Sequence, residues 1–553
     1  MSETAVANAE HFIHNETQFH LGFLPTEQSN PLTKTLESDF QSSTEQGVRT
    51  LQRADRSVLA MVERIFRSSE YAGLVQKGEQ AIRNGRRIIF SGCGATGRLS
   101  ILLESMWRKH CAEHPESASY ADCVESIMTG GDYALVRSVE FFEDYQPFGR
   151  KQVAEAGMKA GDVLVAITEG GETSSVLGTV FEALDRGCAV FLLFNNPAEL
   201  LAEHLERSRK AIQDPRVCIL DLSCGPMALA GSTRMQATTS EQLVAGAALE
   251  TIMHRLTGET ESDYISAFRS LLEALELPEN RRAIADYIDF ETEIYRKKGK
   301  VTYFANDYLL DIFTDTTERS PTFMLPPFRR IDDTTSPQSW AFVKNPLYST
   351  AKTWEVGMHR PLRCLNWTQE DYKAMNADAI CTKPPALSGA DLLKFEIGKE
   401  SPELRADSGN DAGVLITLSA DPELESAFQK TAGIFQYARH LAIGQETKAD
   451  YLIRLPKTGG ALHLMEHMAI KLVLNTISTG TMARLGRITG NWMSWVDCTN
   501  KKLLDRGTRL LVEIAGVDYR TACIALFEAL EQENNCGEEK SSPVQIALKK
   551  LKH

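Results

Sequence analysis

Residues 88–99 read IIFSGCGATGRL: an apolar run, then Gly, Cys, Ala or Thr at every position from Gly92 to Gly97, then Arg98 and Leu99. A buried strand that stops at small residues and turns at once into a helix brings backbone N–H groups to the sheet edge with no side chains in front of them. Four more short apolar runs follow, in VESIMTGG, VLVAIT, AVFLLF and VCILDL, reached through helical stretches such as 97–110, 132–143 and 174–186. Continuous apolar strands alternating with helices predict a doubly wound α/β domain: a parallel sheet covered on both faces, with ligands outside the carboxyl ends of its strands.

The pattern then repeats. KVTYFAN, GVLITLS and YLIRLP form a second αβ set, and QLV…MHRL at 242–256 matches KLV…MARL at 471–485 without a gap. A duplicated domain, its two sheets related by a pseudo-dyad, accounts for this. The expected organisation is a polar arm over 1–45, a first domain over 46–275, a second over 276–512 and a short helical region over 513–553. The first domain opens with a helix carrying Leu51, Val58, Leu59, Val62 and Ile65 on one face.

Composition bounds the function. A chain of 553 residues exceeds one core, and 43% hydrophobic with 24% charged residues is ordinary for globular proteins. No run approaches the roughly eighteen apolar residues of a membrane span, and MSETAVANAEHFIHNETQ lacks the features of a secretory leader, so a cytoplasmic protein is expected. A net charge of −14 repels nucleic acid and anionic lipid, so neither is expected as a partner and an anionic ligand must be held locally. The eleven cysteines include no CxxC pair and read as free thiols. HLMEH at 463–467 has the spacing of an inverted zinc-protease motif but lacks an identifiable third ligand, so no metal and no cofactor are expected. Trp492 and Trp495 read as packing residues, and the terminal KKLKH as a solvated helix end.

The strand-end loops carry the chemistry. Gly92, Gly94 and Gly97 make a GxGxxG, yet the second strand ends in glycines rather than the acidic residue that a nucleotide ribose needs. The loop from Thr168 to Ser175 and the loop SCGPMALAGSTRM are rich in hydroxyls and also lead into helices. Three helix starts at one sheet edge suit a phosphate: Thr96, Thr168, Thr173, Ser232 and Thr233 supply hydroxyls, and Gly94, Ala95 and Gly170 leave room. In the second half Asn306, Asp307, Tyr308 and Leu309 replace the glycine loop. They are too bulky and acidic for an anion, so one working site per chain is expected.

GCGATGRL, ITEGGETSSVL and GPMALAGSTRM resemble loops of the SIS (sugar isomerase) fold, and TEGGET resembles the SQSGET phosphate loop of its isomerases. TEQSNPLT, GGDYALVRSVEFFED, GSTRM and KLVLNTISTGTMARLGRITGN resemble, almost end to end, two related families: N-acetylmuramic acid 6-phosphate etherase and the glucokinase regulatory protein. The resemblance implies two SIS domains with a helical cap and a phosphorylated hexose or amino sugar in the first domain. Thr96, Thr168 and Ser232 or Thr233 would meet its phosphate, Glu143 its sugar, and Lys471 would reach in from the second half, where the first half has Gln242. Gly94, Ala95, Glu169, Gly170 and Thr173 complete the expected ligand shell.

The etherases eliminate lactate and need two carboxylates, one to take a proton and one to give it. Glu143 matches the first; the second falls at Met106, and Glu104 lies roughly 200° away around the helix. Glu169 and Glu172 read as helix-start carboxylates balancing the dipole, and Gln236 stands where both families tend to carry lysine. No isomerase base can be placed. The expected function is therefore a sugar-phosphate sensor of the regulatory-protein type acting on a partner such as a sugar kinase, with the lyase as the alternative and the oligomeric state open.

Overall fold

Every apolar run quoted above becomes a strand. The first sheet comprises β1 (Ile88–Gly92), β2 (Val124–Met128), β3 (Val163–Ile167), β4 (Ala189–Phe194) and β5 (Val217–Asp221), all parallel, in the order β2-β1-β3-β4-β5. The second comprises β6 (Val301–Phe304), β7 (Ala341–Lys344), β8 (Ala412–Thr417), β9 (Tyr437–Gly444) and β10 (Tyr451–Arg454), in the order β10-β9-β8-β6-β7. Read from the matching edge, the second order repeats the first strand for strand. The structure, a computed structural model, describes residues 2–139, 141–445, 448–498, 500–533 and 542–552. β7 and β9 lie outside the sequence reading because β7 is short and β9, YARHLAIG, is only partly buried over its polar first half.

Seven helices matter for the site: α1 (Thr44–Ile65), α2 (Ala95–Glu113), α3 (Ser174–Asp185), α4 (Gln236–Thr257), α5 (Leu309–Phe323), α6 (Leu464–Arg484) and α7 (Lys501–Ala515). α4 and α6 are the matching helices of the repeat. Both are buried over nearly their whole length, so they carry small, apolar or internally bonded residues on every face, and they pack against each other and against α1. The helix expected over 132–143 is cut to Tyr133–Val136. Phe141 adopts φ +67°, a left-handed conformation that cannot continue a helix, and a 3-10 turn over Phe142–Asp144 follows. Glu143 therefore sits on a turn rather than on a helix face.

Polar side chains lock the two halves together. Arg234, before α4, donates to Asp315 Oδ1 (3.0 Å) on α5 and to Ser478 Oγ (3.0 Å) and Thr479 Oγ1 (2.8 Å) on α6. Lys471 on α6 is buried and gives its ammonium to the carbonyls of Arg234 (2.9 Å) and Met235 (3.3 Å), to Thr239 Oγ1 (2.8 Å) and to Asn475 Oδ1 (3.1 Å). Burial pulls this ammonium down to about 7, against the upward pull of Asp55, Asp315 and Glu241.

The arm is pinned by charge. Its helix Glu3–Asn15 packs on the C-terminal helix Tyr519–Glu533, with the Phe12 and Phe527 rings 6.3 Å apart. Glu27, 2% exposed, accepts from Arg506 Nε (2.9 Å) and Nη2 (2.7 Å) and from Arg509 Nη2 (3.0 Å). Burial alone would raise the Glu27 carboxyl, but Arg506 and Arg509 on α7 hold it at about 2. α7 itself runs across position 512, where the sequence reading ends the second domain.

Two outcomes are expected. Glu27→Ala strands the buried Arg506 without a counter-ion and should remove about 3–5 kcal/mol of stability in urea unfolding at pH 7. The Lys471 ammonium has a folded value of about 7 against an ordinary 10.5, so between those values the unfolded chain binds more protons. Stability should therefore rise with pH across that window by up to about 1.4 kcal/mol per pH unit. Lys471→Met should abolish that slope.

Candidate functional site

The glycines after β1 have two separate jobs. A Cβ on Gly92 would lie 2.4 Å from the Thr96 backbone, and one on Gly97 would lie 2.7 Å from Met128 Cγ, so these two permit α2 to start hard against the sheet. Gly94, at φ +58°, faces open space. Thr96 Oγ1 donates to the Cys93 carbonyl (2.9 Å) and accepts from the Cys93 N–H (3.0 Å), fixing the turn. After β3, Thr168 Oγ1 donates to Thr173 Oγ1 (3.0 Å), and Gly171 turns the loop at φ +82°. After β5, the Ser232 N–H reaches the Leu229 carbonyl (2.9 Å), while its buried hydroxyl has no hydrogen-bond partner. Half-buried Thr233 accepts at its carbonyl from the Thr238 N–H (3.1 Å). The N-cap residues of α2, α3 and α4 are Gly94, Thr173 and Met235, and none caps its helix through a side chain. The first N–H groups of α2 and α3 therefore remain available to an anion, whereas in α4 the Ala237 N–H meets Met227 Sδ (3.2 Å) and the Thr238 N–H is spent on the Thr233 carbonyl.

A cleft of about 380 Å³ opens at the start of α3, lined by Glu143, Glu172, Thr173 and Lys502 and walled by Phe19 and Leu21 of the arm. Glu143 Oε1 accepts from Asn500 Nδ2 (3.2 Å), and Lys502 Nζ donates to Glu172 Oε1 (2.8 Å). Burial opposes the Lys502 charge, but Glu172, Glu143 and Glu27 together hold its ammonium well above the usual lysine range. Lys502 joins Arg207 and Lys501 as a cation of the cleft, and the sequence reading names none of the three. One signal was available: Lys501 and Lys502 open α7, where cations oppose the helix dipole and need another reason to be present.

The carboxylates converge from three loops. The Cys93 thiol, in the turn after β1, is pushed up to about 12 by burial and by the facing carboxylates of Glu143 and Glu169. Glu169 itself is raised to about 7, chiefly by burial, with Glu318 and Glu172 adding to it against Lys502. Its carbonyl accepts from the Asn195 N–H (2.9 Å), and the Asn195 amide donates to Glu241 Oε1 (2.9 Å) on α4. Burial and then Glu169 push the Glu241 carboxyl well above the usual range. A carboxyl at about 7 holds its proton part of the time at neutral pH and can give it up, while Glu143 acts on the Lys502 ammonium.

Other expected members lie elsewhere. Ala95 and Lys471 line a separate crevice of about 20 Å³ between α2, α4, α5 and α6, with Gln242, and Lys471 is spent on the four internal acceptors given above. Met106 faces away from the first cleft and lines a second one, against the loop after β6. Across the pseudo-dyad, the α5 region that carries Glu318 approaches the first sheet's strand ends, where Arg98 Nη1 binds Glu318 Oε1. Glu104 belongs to an ion cluster with Arg108 (2.8 Å), Arg360 (2.9 Å) and Arg363 (2.9 Å). Gln236 braces α1, donating to Asp55 Oδ1 (2.7 Å). Glu172, read as a helix-start carboxylate, is the partner of Lys502. In HLMEH, His467 Nδ1 pairs with Asp311 Oδ2 (2.8 Å) and His463 with Glu466 (3.7 Å); among the described residues no group of metal-binding side chains is placed to hold an ion. Trp492 is buried, and Trp495 Nε1 donates to the Gly486 carbonyl (3.1 Å). Among the described residues no helix is long and apolar enough to cross a membrane.

The family model described as glucokinase regulatory protein N-terminal SIS domain matches residues 70–184. N-acetylmuramic acid 6-phosphate etherase from a Picosynechococcus species is 32% identical over 239 residues, covering 42% of this chain and 71% of the relative. N-acetylmuramic acid 6-phosphate etherase 1 of Bacillus licheniformis is 28% identical over 226 residues, covering 41% of this chain and 67% of the relative. Among solved structures, tagatose-6-phosphate ketose/aldose isomerase from Escherichia coli matches 82% of this chain and 96% of its own at 12% identity, with a TM-score of 0.45. The matches to the family model and to the etherases, on a chain whose strand-end loops are built as described, place it by descent: the protein belongs to the SIS-domain family that holds the N-acetylmuramic acid 6-phosphate etherases and the glucokinase regulatory protein.

Proposed function

We propose that the cleft between the first sheet, the arm and α7 binds a phosphorylated amino sugar and that the protein eliminates an ether substituent from it, as the names of its etherase relatives suggest. The observation that carries the reading is the cleft lined by Glu143 and Lys502 at the start of α3, with a second carboxyl, Glu169, raised to about 7 in the loop that leads into that helix. The phosphate takes the N–H groups of α2 and α3 and the Lys502 ammonium, in place of Glu172. Glu143 removes the proton next to the sugar carbonyl. The ether C–O bond then breaks with its electron pair on the departing oxygen, and Glu169 gives that oxygen its proton. Met106 does not weaken this reading, because position 106 serves the other cleft.

A second reading, a sugar-phosphate sensor controlling a partner such as a sugar kinase, is favoured by the way parts far apart in the chain, the arm and α7, wall the cleft. Ligand that loosened Lys502 from Glu172 would act directly on α7 and, through Arg506 and Glu27, on the arm.

Purified protein incubated with N-acetylmuramic acid 6-phosphate should release lactate. Glu143→Gln should abolish release. Glu169→Gln should slow it about a hundredfold or more and remove the fall in rate that wild type shows as pH rises through about 7. Lys502→Met should weaken calorimetric binding of hexose 6-phosphates about tenfold or more. Binding without lactate release supports the sensor and refutes the lyase; neither binding nor release refutes both.

A further inference from the structure

The second half has a cleft of about 240 Å³ at its own strand ends, beside the loop Asn306–Leu309 after β6. Two polar side chains in its wall are almost fully buried and unsatisfied. His110 on α2, 4% exposed, has its Nδ1 2.7 Å from the Ala461 carbonyl; a carbonyl only accepts, so Nδ1 carries the hydrogen and Nε2 is a bare acceptor, with no partner. Asp311 on α5, also 4% exposed, gives Oδ2 to His467 and leaves Oδ1 without a partner. A buried acceptor left unpaired costs about 1–3 kcal/mol, so a native wall holding two of them implies a donor that arrives from outside. The backbone agrees. Tyr308 (φ +59°), His359 (φ +50°) and His463 (φ +55°), three of the few non-glycine residues held in the left-handed region, all line this cleft.

The lining selects among ligands. Asp307 and Asp311 repel a phosphate, and Lys109 is already taken by Glu113 and Asp307. Glu113 and Asp307 are already answered by Lys109, so an organic cation gains little from them, and among the described residues no cluster is placed to hold a metal. What fits is a small neutral molecule with hydroxyl donors on one side and a carbon face on the other: Leu102, Met106 and Leu309 form an apolar wall. The volume lies just below the roughly 300 Å³ at which drug-sized sites begin, which suits one six-carbon body.

We infer that this second cleft binds an unphosphorylated hexose or polyol, whose hydroxyls donate to His110 Nε2 and Asp311 Oδ1. The site is separate from the phosphosugar cleft, and neither reading depends on the other.

Saturation-transfer NMR on the full chain with D-glucose, D-mannitol and N-acetyl-D-glucosamine, each probed alone, tests it. At least one probe should bind. Val356→Trp, which fills the cleft from a half-buried position, should abolish its signal; Asp311→Asn, which keeps an oxygen for His467 and can present an amide donor in place of Oδ1, should weaken binding about tenfold; Lys502→Met should leave it unchanged. A mannose 6-phosphate titration, expected to respond to Lys502→Met and not to Val356→Trp, keeps the two clefts apart. No binding by any of the three sugars, or binding abolished by Lys502→Met and indifferent to Val356→Trp, overturns the inference.

Discussion

The crossing of α4 and α6 is the contact on which the rest depends. Each is buried on nearly all sides, covered partly by helices of its own half and partly by the other copy. Their packing fixes the pseudo-dyad. The pseudo-dyad then decides which side chains meet: Lys471 braces the turn before α4, Glu318 reaches Arg98, and Met106 is carried to the opposite cleft. A substitution that looks decisive when α2 is read beside its own strand thus belongs to chemistry at the other sheet.

The two sheets share a topology and have diverged at their strand ends. The first keeps glycines where α2 must start close to β1 and leaves the starts of α2 and α3 uncapped. The second replaces the same turn by Asn306, Asp307 and Tyr308 and surrounds it with imidazoles and carboxylates. The two halves thus present different side chains at equivalent strand ends: glycines and hydroxyls in the first, bulky and acidic residues in the second.

What could be read from the chain follows from what is local. Eight strands and the repeat were legible because continuous apolar runs and matching helices announce burial without reference to anything distant. β9 was not, since its polar first half is tolerated only where neighbouring elements leave it partly wet. The turn carrying Glu143 was taken for helix because nothing in GGDYALVRSVEFFED warns that Phe141 will adopt a left-handed conformation. Family likeness points to Lys471, which is buried between the halves; Lys501 and Lys502, which line the cleft at the start of α3, lie far along the chain from that loop and carry no local signal of it. Hydroxyls and glycines of the strand ends were visible; which charges close over them depends on tertiary contacts between segments hundreds of residues apart.

The bond between Glu27 and Arg506 has a consequence for biosynthesis. The first sheet is complete once β5 has been translated, but its cleft is walled by the arm and by α7, which is made only after the whole second sheet. A nascent chain therefore carries a finished scaffold with an unfinished receptor, its arm waiting for a counter-ion. Closure of that cleft waits for everything between β5 and α7 to be made.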